Sequence, residues 1–332
     1  MTDMQKGVEH CVVIGGGSWG TAIADALQKA GQHVSLLVRS EDTVALLAQG
    51  RCRQLPDLAA NAPFTASTDA TILRSASMVF VVVPVSATLD ALEQIGDFVP
   101  AGVPVVMCAK GLVTLPDGET MLMTECAATL EAHPAVIFSG PTFADEVLRG
   151  LPAAITAAST HAEAASRVQQ AFTGSQLRVY AGTDPIGVAI GGAMKNVIAI
   201  AAGCAIGLGL GDNARAALIT RGLAEMARLA MAAGAQPDTI YGLSGAGDLA
   251  LTCAGPHSRN MAFGLALGEG RTPDAKLAEG RHTVAALAKR AKSLGIETPI
   301  TEGVNRVVNQ GDDLKAVVAS LLARPAGNEG LG

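Results

Sequence analysis

Lys195 is the only charged residue in Ile190-Gly-Gly-Ala-Met-Lys-Asn-Val-Ile-Ala-Ile200, inside an apolar helix expected to run from Pro185 to Gly211. Loss of hydration disfavours an ammonium, so a lysine there is pushed toward its neutral form and can exchange a proton near working pH. A lysine that snorkels to solvent is accompanied by polar residues, whereas Gly191, Gly192, Ala199 and Ala202 share its helical face. Those small residues would also let the helix lie close to a neighbouring domain. Lys110 follows the apolar run Val103–Met107 and precedes Gly111, at the carboxyl end of an expected strand, where open α/β sheets place their ligands. Its position makes it a candidate, since its residue type alone reads equally well as an ordinary loop lysine. Asp248, in Gly245-Ala-Gly-Asp-Leu-Ala-Leu-Thr-Cys253, needs a cation if it is buried, and Lys195 or Arg259 would satisfy it. Ser258 is suited to N-cap a helix carrying Arg259 and Asn260, so a hydroxyl, a guanidinium, an amide and a helix N-terminus could meet one phosphate; a capped surface helix has the same pattern. Together these groups suit reduction of a ketone, in which an acid protonates the oxygen as hydride arrives and donors stabilise the alkoxide.

A hydride needs a carrier. Gly15-Gly-Gly-Ser-Trp-Gly20 matches G-x-G-x-x-G directly after an apolar run, Cys11–Ile14, and directly before a helix-like segment, Thr21–Lys29. In that setting Gly15 permits a tight turn, Gly17 lets backbone approach a pyrophosphate, and Gly20 allows close packing of helix on strand. The helix N-terminus then faces the phosphates with its positive end. The second apolar run, Val34–Val38, ends in Arg39, whose guanidinium can pair with a 2′-phosphate and stack on adenine. This favours NADP(H) over NAD(H), although Glu41 or Asp42 could reach a ribose hydroxyl. The run Ser139-Gly-Pro-Thr-Phe-Ala144 offers backbone N–H groups and a hydroxyl at the carboxyl end of another expected strand.

The elements that must hold these groups fall into two halves. Val12–Ile14, Val34–Val38, Met78–Val83, Val103–Met107 and Ala135–Phe138 are near-continuous apolar runs alternating with amphipathic stretches, the pattern of parallel strands covered by helices. Strand signals stop after Tyr180, and Asp184-Pro185 supplies an N-cap and a proline at the first helical position. Ile219, Leu223, Met226 and Ala230 then follow helical spacing up to Gly234, with further helices near Ser258–Leu267, Thr283–Leu294, Thr301–Val308 and Leu314–Leu322. The expectation is an α/β dinucleotide-binding domain over residues 1–182 followed by an all-α domain over 183–332.

Composition removes other classes. The 332 residues are hydrophobic at 49% and charged at only 16%, which argues against disorder. The longest polar-free stretch, Val197–Gly211, falls short of a bilayer span and reads as a buried helix. The formal charge of −6 comes without a dense basic run, so no duplex nucleic-acid footprint is expected, and an anionic small ligand would be held by a few placed cations. Cys11, Cys52, Cys108, Cys126, Cys204 and Cys253 form no C-x-x-C pair, and the histidines show no ligand spacing. These features, with a start lacking an apolar signal core, point to a metal-free cytoplasmic protein.

The words Gly15–Ala22 (GGGSWGTA), Cys108–Gly111 (CAKG), Ser139–Glu146 (SGPTFADE), Lys195–Gly203 (KNVIAIAAG), Gly245–Cys253 (GAGDLALTC) and Ser258–Asn260 (SRN) resemble, in order, the NAD(P)-dependent glycerol-3-phosphate dehydrogenase family. The resemblance covers nearly the whole chain. It implies a Rossmann domain followed by a helical domain of the 6-phosphogluconate-dehydrogenase type. It also implies reversible reduction of dihydroxyacetone phosphate to sn-glycerol 3-phosphate, supplying glycerophospholipid synthesis. By residue, it implies Ser18, Trp19, Arg39, Lys110, Ala144, Arg259, Leu277 and Glu279 at the cofactor. At the substrate it implies Lys110, Gly140, Thr142, Asp248, Ser258, Arg259 and Asn260, with Lys195 as proton carrier. The chain departs from the family pattern at Cys108-Ala109 and Pro256-His257. A homodimer is expected. Two rival readings share the fold: a hydroxy-acid dehydrogenase, which would bind a carboxylate without the Ser258–Asn260 grip, and an NAD(P)-binding redox sensor without turnover, which would have no use for a buried ammonium.

Overall fold

Each of the five apolar runs becomes a strand of one parallel sheet: β1 (His10–Ile14), β2 (His33–Leu37), β4 (Met78–Val81), β5 (Val105–Met107) and β8 (Ala135–Ser139). Three further strands complete it: β3 (Thr65–Ser67), β9 (Ala153–Ala158) and β10 (Leu177–Gly182). The order is β10-β9-β8-β5-β4-β1-β2-β3, so strand order reverses between β1 and β4, where sheets of this kind open a crevice for ligands. Strand interiors such as Val12, Val13, Val79 and Phe80 are fully buried, as expected of strands covered on both faces. Helices α1 (Ser18–Lys29), α2 (Glu41–Leu47), α3 (Thr88–Phe98), α4 (Met123–Ala128), α5 (Ala144–Leu148) and α6 (Ala162–Ala171) connect the strands. Phe80, Phe138 and Phe172 meet ring to ring within the core of this sheet unit.

The computed structural model describes residues 7–273 and 278–323. They divide into a sheet unit, residues 7–109, 124–138 and 142–183, and a helical unit, residues 110–123, 139–141, 184–273 and 278–323. Two excursions from the strand half therefore group with the helices. One of them folds as an antiparallel hairpin, β6 (Leu112–Thr114) with β7 (Thr120–Leu122), which periodicity does not predict because each strand is three residues long.

The helical unit is built around α7 (Pro185–Gly207). Asp184 caps it through Gly187 N–H at 2.9 Å, and its second carboxylate oxygen accepts from Gln236 N–H at 2.8 Å. α7 is long and apolar enough to cross a membrane, yet it lies buried in the core of this unit. It ends at Gly207 rather than Gly211, because Gly209 and Gly211 adopt left-handed φ of 74° and 79°. Around it stand α8 (Gly211–Ala232), α9 (Pro237–Tyr241), a π-helical turn (Leu243–Gly247), α10 (Asp248–Thr252), α11 (Arg259–Gly268), α12 (Glu279–Ser293), α13 (Pro299–Asn305) and α14 (Leu314–Leu322). The α7 and α11 backbones touch: a methyl group on Gly264 would lie 2.0 Å from the Ile200 carbonyl oxygen, and one on Gly203 would lie 2.2 Å from that of Met261. The helix carrying Arg259 and Asn260 is thereby fixed against the helix carrying Lys195.

Candidate active site

Asp248 is 1% exposed and accepts from two ammonium groups at once. Lys195 Nζ donates to its Oδ1 at 2.6 Å and Lys110 Nζ to its Oδ2 at 2.7 Å. The cation that compensates the buried carboxylate is thus a pair of lysines; Arg259, the alternative raised by the sequence, is exposed at the start of α11. Lys195 also donates to Thr252 Oγ1 at 3.2 Å, and Lys110 to the Gly140 carbonyl at 3.1 Å. An ammonium has three donors, so among the described residues each lysine keeps one N–H for a ligand. Thr252 spends its own proton on the Asp248 carbonyl at 2.6 Å, which turns its lone pairs toward Lys195.

The electrostatics follow from this arrangement. Burial drives Lys195 down from 10.5; Asp248 opposes the fall and the Lys110 charge adds to it, leaving the group at about 8. Burial pushes Asp248 upward, but the two ammoniums with their hydrogen bonds outweigh it and hold the carboxyl below 3.8. The site therefore contains a permanent carboxylate and a lysine that titrates near working pH.

A chain of amides supports Lys110. Gly280 N–H donates to Asn260 Oδ1 at 3.0 Å, Asn260 Nδ2 to Asn196 Oδ1 at 2.9 Å, and Asn196 Nδ2 to the Lys110 carbonyl at 3.3 Å. Asn260 is accordingly buried and holds the start of α12, with one hydrogen of its Nδ2 left for another acceptor. Ser258 caps α11, its Oγ accepting from Met261 N–H at 3.3 Å, so the expected capped helix is present. The sequence reading missed Asn196 and Thr252. Thr252 stands one helical turn after Asp248, a spacing that puts it on the same helical face, whereas Asn196 directly follows Lys195 and faces a different direction, so no spacing signal singles it out.

In the sheet unit, Gly15-Gly-Gly-Ser-Trp-Gly20 turns from β1 into α1. Gly15 has φ of 116°, and a methyl there would lie 2.2 Å from the Val82 carbonyl oxygen; one on Gly20 would lie 2.0 Å from that of Gly15. Gly17 differs, since a methyl there would meet nothing within 4 Å. Gly17 is the N-cap of α1, no side chain caps that end, and Ser18, Trp19 and Gly20 open it without an acid in the first turn. An uncapped helix start beside an unfilled glycine position fits a dinucleotide pyrophosphate. Trp19 is half-buried against the sheet core. Arg39 is exposed beyond β2, while Glu41 accepts the Thr68 hydroxyl at 2.6 Å and Asp42 stands 4.0 Å from Arg53. Thr142 is half-buried in this unit and Ala144 opens α5. Glu279 opens α12 in the helical unit, and Leu277 lies outside the described residues.

Comparison with known proteins agrees along the chain. Residues 10–165 match the family profile for the NAD-dependent glycerol-3-phosphate dehydrogenase N-terminus, and residues 184–319 match the profile for its C-terminus. A protein of Thioalkalivibrio sulfidiphilus named glycerol-3-phosphate dehydrogenase (NAD(P)+) is 44% identical over 326 residues, covering 94% of this chain and 96% of the relative. One of the same name from Mesorhizobium japonicum is 42% identical over 320 residues, covering 96% and 93%. The crystal structure of glycerol-3-phosphate dehydrogenase from Coxiella burnetii superposes with a TM-score of 0.87 at 36% identity, covering 96% of this chain and 99% of that one. With both profiles matched in order and relatives above 40% identity end to end, the chain belongs to the NAD-dependent glycerol-3-phosphate dehydrogenase family.

Proposed function

We propose that the protein reversibly reduces dihydroxyacetone phosphate to sn-glycerol 3-phosphate with NAD(P)H, a product used to build glycerophospholipids. The observation that carries this reading is the buried carboxylate shared by Lys195 and Lys110, each with one donor to spare. The cofactor, when bound, supplies hydride to the carbonyl carbon. Lys195 gives the proton to the carbonyl oxygen and takes it back in the reverse direction. Lys110 polarises the same oxygen and Asp248 keeps both amines in place. Proton loss takes the three groups from a net charge of +1 to zero, so no uncompensated charge is left in the buried site.

Gly140, Thr142, Ser258, Arg259 and Asn260 are the residues we assign to the substrate and its phosphate. Gly15, Gly17, Ser18, Trp19, Gly20, Arg39, Lys110, Ala144, Arg259, Leu277 and Glu279 are those assigned to the cofactor. Arg39, an exposed guanidinium at the end of β2, favours NADP(H) over NAD(H). Residues 1–182 form the cofactor half in this reading and 183–332 the substrate half, in a cytoplasmic homodimer. The test follows NADPH absorbance with dihydroxyacetone phosphate. Native protein should oxidise the cofactor, and Lys195→Met should lower kcat by roughly 10²–10⁴-fold with NADPH binding retained. Oxidation with a keto acid but not with the phosphate substrate would assign the protein to the hydroxy-acid reading instead.

A further inference from the structure

Gly191 and Gly192 lie one helical turn before Lys195, and the two glycines touch different parts of the site. A methyl group on Gly191 would stand 2.7 Å from the Ser244 carbonyl oxygen and 3.2 Å from Gly245 Cα, both in the π-helical turn Leu243–Gly247 that leads directly into Asp248. That turn has no slack on its other side: a methyl on Gly245 would stand 2.0 Å from the Ile240 carbonyl oxygen. The turn is therefore clamped between α9 and α7, and Asp248 starts from a fixed backbone. A single π-turn inside helical structure is an uncommon device that recurs at functional sites.

Gly192 faces the other lysine. A methyl there would stand 2.8 Å from Ser139 Oγ and 3.5 Å from Lys110 Cγ. Ser139 is 2% exposed, and its hydroxyl has no hydrogen-bond partner among the described residues. What Ser139 contributes at this point is volume, filling the notch over Gly192 beside the Lys110 stem.

We propose that Gly191 and Gly192 are positioning residues for the reaction, forming one seat on α7 in which Gly191 fixes the turn that delivers Asp248 and Gly192 leaves the room in which Ser139 packs beside the stem of Lys110. The seat is cut into the helix that carries Lys195, so all three members of the lysine–carboxylate–lysine group are referenced to one rigid element. The proposal rests on the functional reading above only for its kinetic readout.

The test uses the full chain with Gly191→Ala, Gly192→Ala, Ser139→Ala and the double variant Gly192→Ala/Ser139→Ala. Gly191→Ala meets the backbone of the turn, which has no room to retreat because Gly245 is pressed against Ile240 on its other side. It should lower kcat about ten- to hundred-fold, as expected of a sub-ångström displacement of reacting groups, with NADPH affinity within about two-fold of native. It should also shift the basic limb of the kcat/KM profile to lower pH, since Lys195 loses part of its carboxylate attraction. Gly192→Ala meets only a short side chain. Its defect should be relieved in the double variant, which should match Ser139→Ala alone, the reference in which the Oγ that crowds the notch is absent. Native kcat and an unmoved limb in Gly191→Ala would overturn the proposal, as would a Gly192→Ala defect that Ser139→Ala leaves in place. Crystal structures of the single glycine variants give a readout independent of turnover: the distances from Asp248 to Lys195 and Lys110 should lengthen. If native protein oxidises no NADPH with dihydroxyacetone phosphate, the functional reading falls, and those distances still decide the seat.

Discussion

Lys195 is held between opposing influences, of which burial is the largest, and its chemistry follows from their balance. Burial and the Lys110 charge favour the neutral amine, Asp248 favours the ammonium, and the group settles at about 8. With Lys195 as the proposed proton donor, reduction would consume the ammonium, so kcat/KM for dihydroxyacetone phosphate should fall as pH rises through about 8. Oxidation of glycerol 3-phosphate consumes the neutral amine and should rise over the same interval. Paired pH profiles of the two directions check this, and parallel profiles would contradict Lys195 as proton carrier. Asp248→Asn removes the attraction while leaving both amines buried. The limb should then move below pH 8, and stability should fall by about 3–5 kcal/mol, the usual result of breaking a buried ion pair from one side. A limb that stays near 8 in the asparagine variant would show that Asp248 does not set the proton affinity of Lys195. Much of this was legible from residue types alone: a single lysine in an apolar helix announces its own desolvation, and an aspartate before an apolar run announces a need for cations. Lys195 was one of the two cations that reading offered; that Lys110 joins it in place of Arg259 was not carried by spacing, because Lys110 is 138 residues from Asp248.

At the scale of elements, the α8–α13 contact carries another buried carboxylate. Glu225 on α8 is 2% exposed and caps the start of α13, accepting from Ile300 N–H at 2.6 Å and from Thr301 N–H and hydroxyl at 3.2 Å. Burial pushes it from 4.5 up to about 7, against the pull of those hydrogen bonds and of Arg228. A carboxyl that holds its proton more tightly folded than unfolded stabilises the native state fully below pH 4.5. That contribution, on the order of 3 kcal/mol, is lost as pH climbs to about 7. Thermal melts of native protein and Glu225→Gln between pH 4.5 and 8 should show the native Tm falling with pH relative to the variant. Parallel curves would mean that Glu225 does not titrate in this window. Glu225 has no periodic signature, since a helical glutamate looks solvent-facing until its partner helix is known. The same reasoning separates the elements that sequence reveals from those it hides. The strands rich in valine and isoleucine stand out, whereas β9, Ala-Ala-Ile-Thr-Ala-Ala, has mostly alanines with weak strand preference and is held by pairing to β10. The π-turn before Asp248 is invisible because it is made by fit against Gly191 and Ile240 rather than by residue preference.

For the molecule as a whole, a single cut between residues 182 and 183 describes the secondary structure but not the packing. Lys110–Met123 and Ser139–Pro141 leave the strand half of the sequence and fold with the helices. Leu112 and Leu122 of the hairpin are 3% exposed within the helical core, and Lys289 on α12 donates to Gly118 O and Glu119 Oε1, each at 2.8 Å. The lysine–carboxylate–lysine cluster is divided in the same way, with Lys110 and Gly140 from the excursions and Lys195, Asp248 and Thr252 from the continuous helical stretch. A fragment of residues 184–332 should therefore be severely destabilised. Losing two buried leucines removes roughly 3–6 kcal/mol, a large part of the stability of an ordinary domain. Asp248 would keep one of its two ammoniums, and the Gly192 notch would lose both Ser139 and the Lys110 stem. Circular dichroism and thermal melts of this fragment beside the full chain test the point. The expected result is aggregation or a broad transition far below that of the intact protein. A fragment with a sharp melt near the native Tm would show that the excursions are decoration on an independently stable helical core. The division between residues 182 and 183 would then hold for packing as well as for secondary structure.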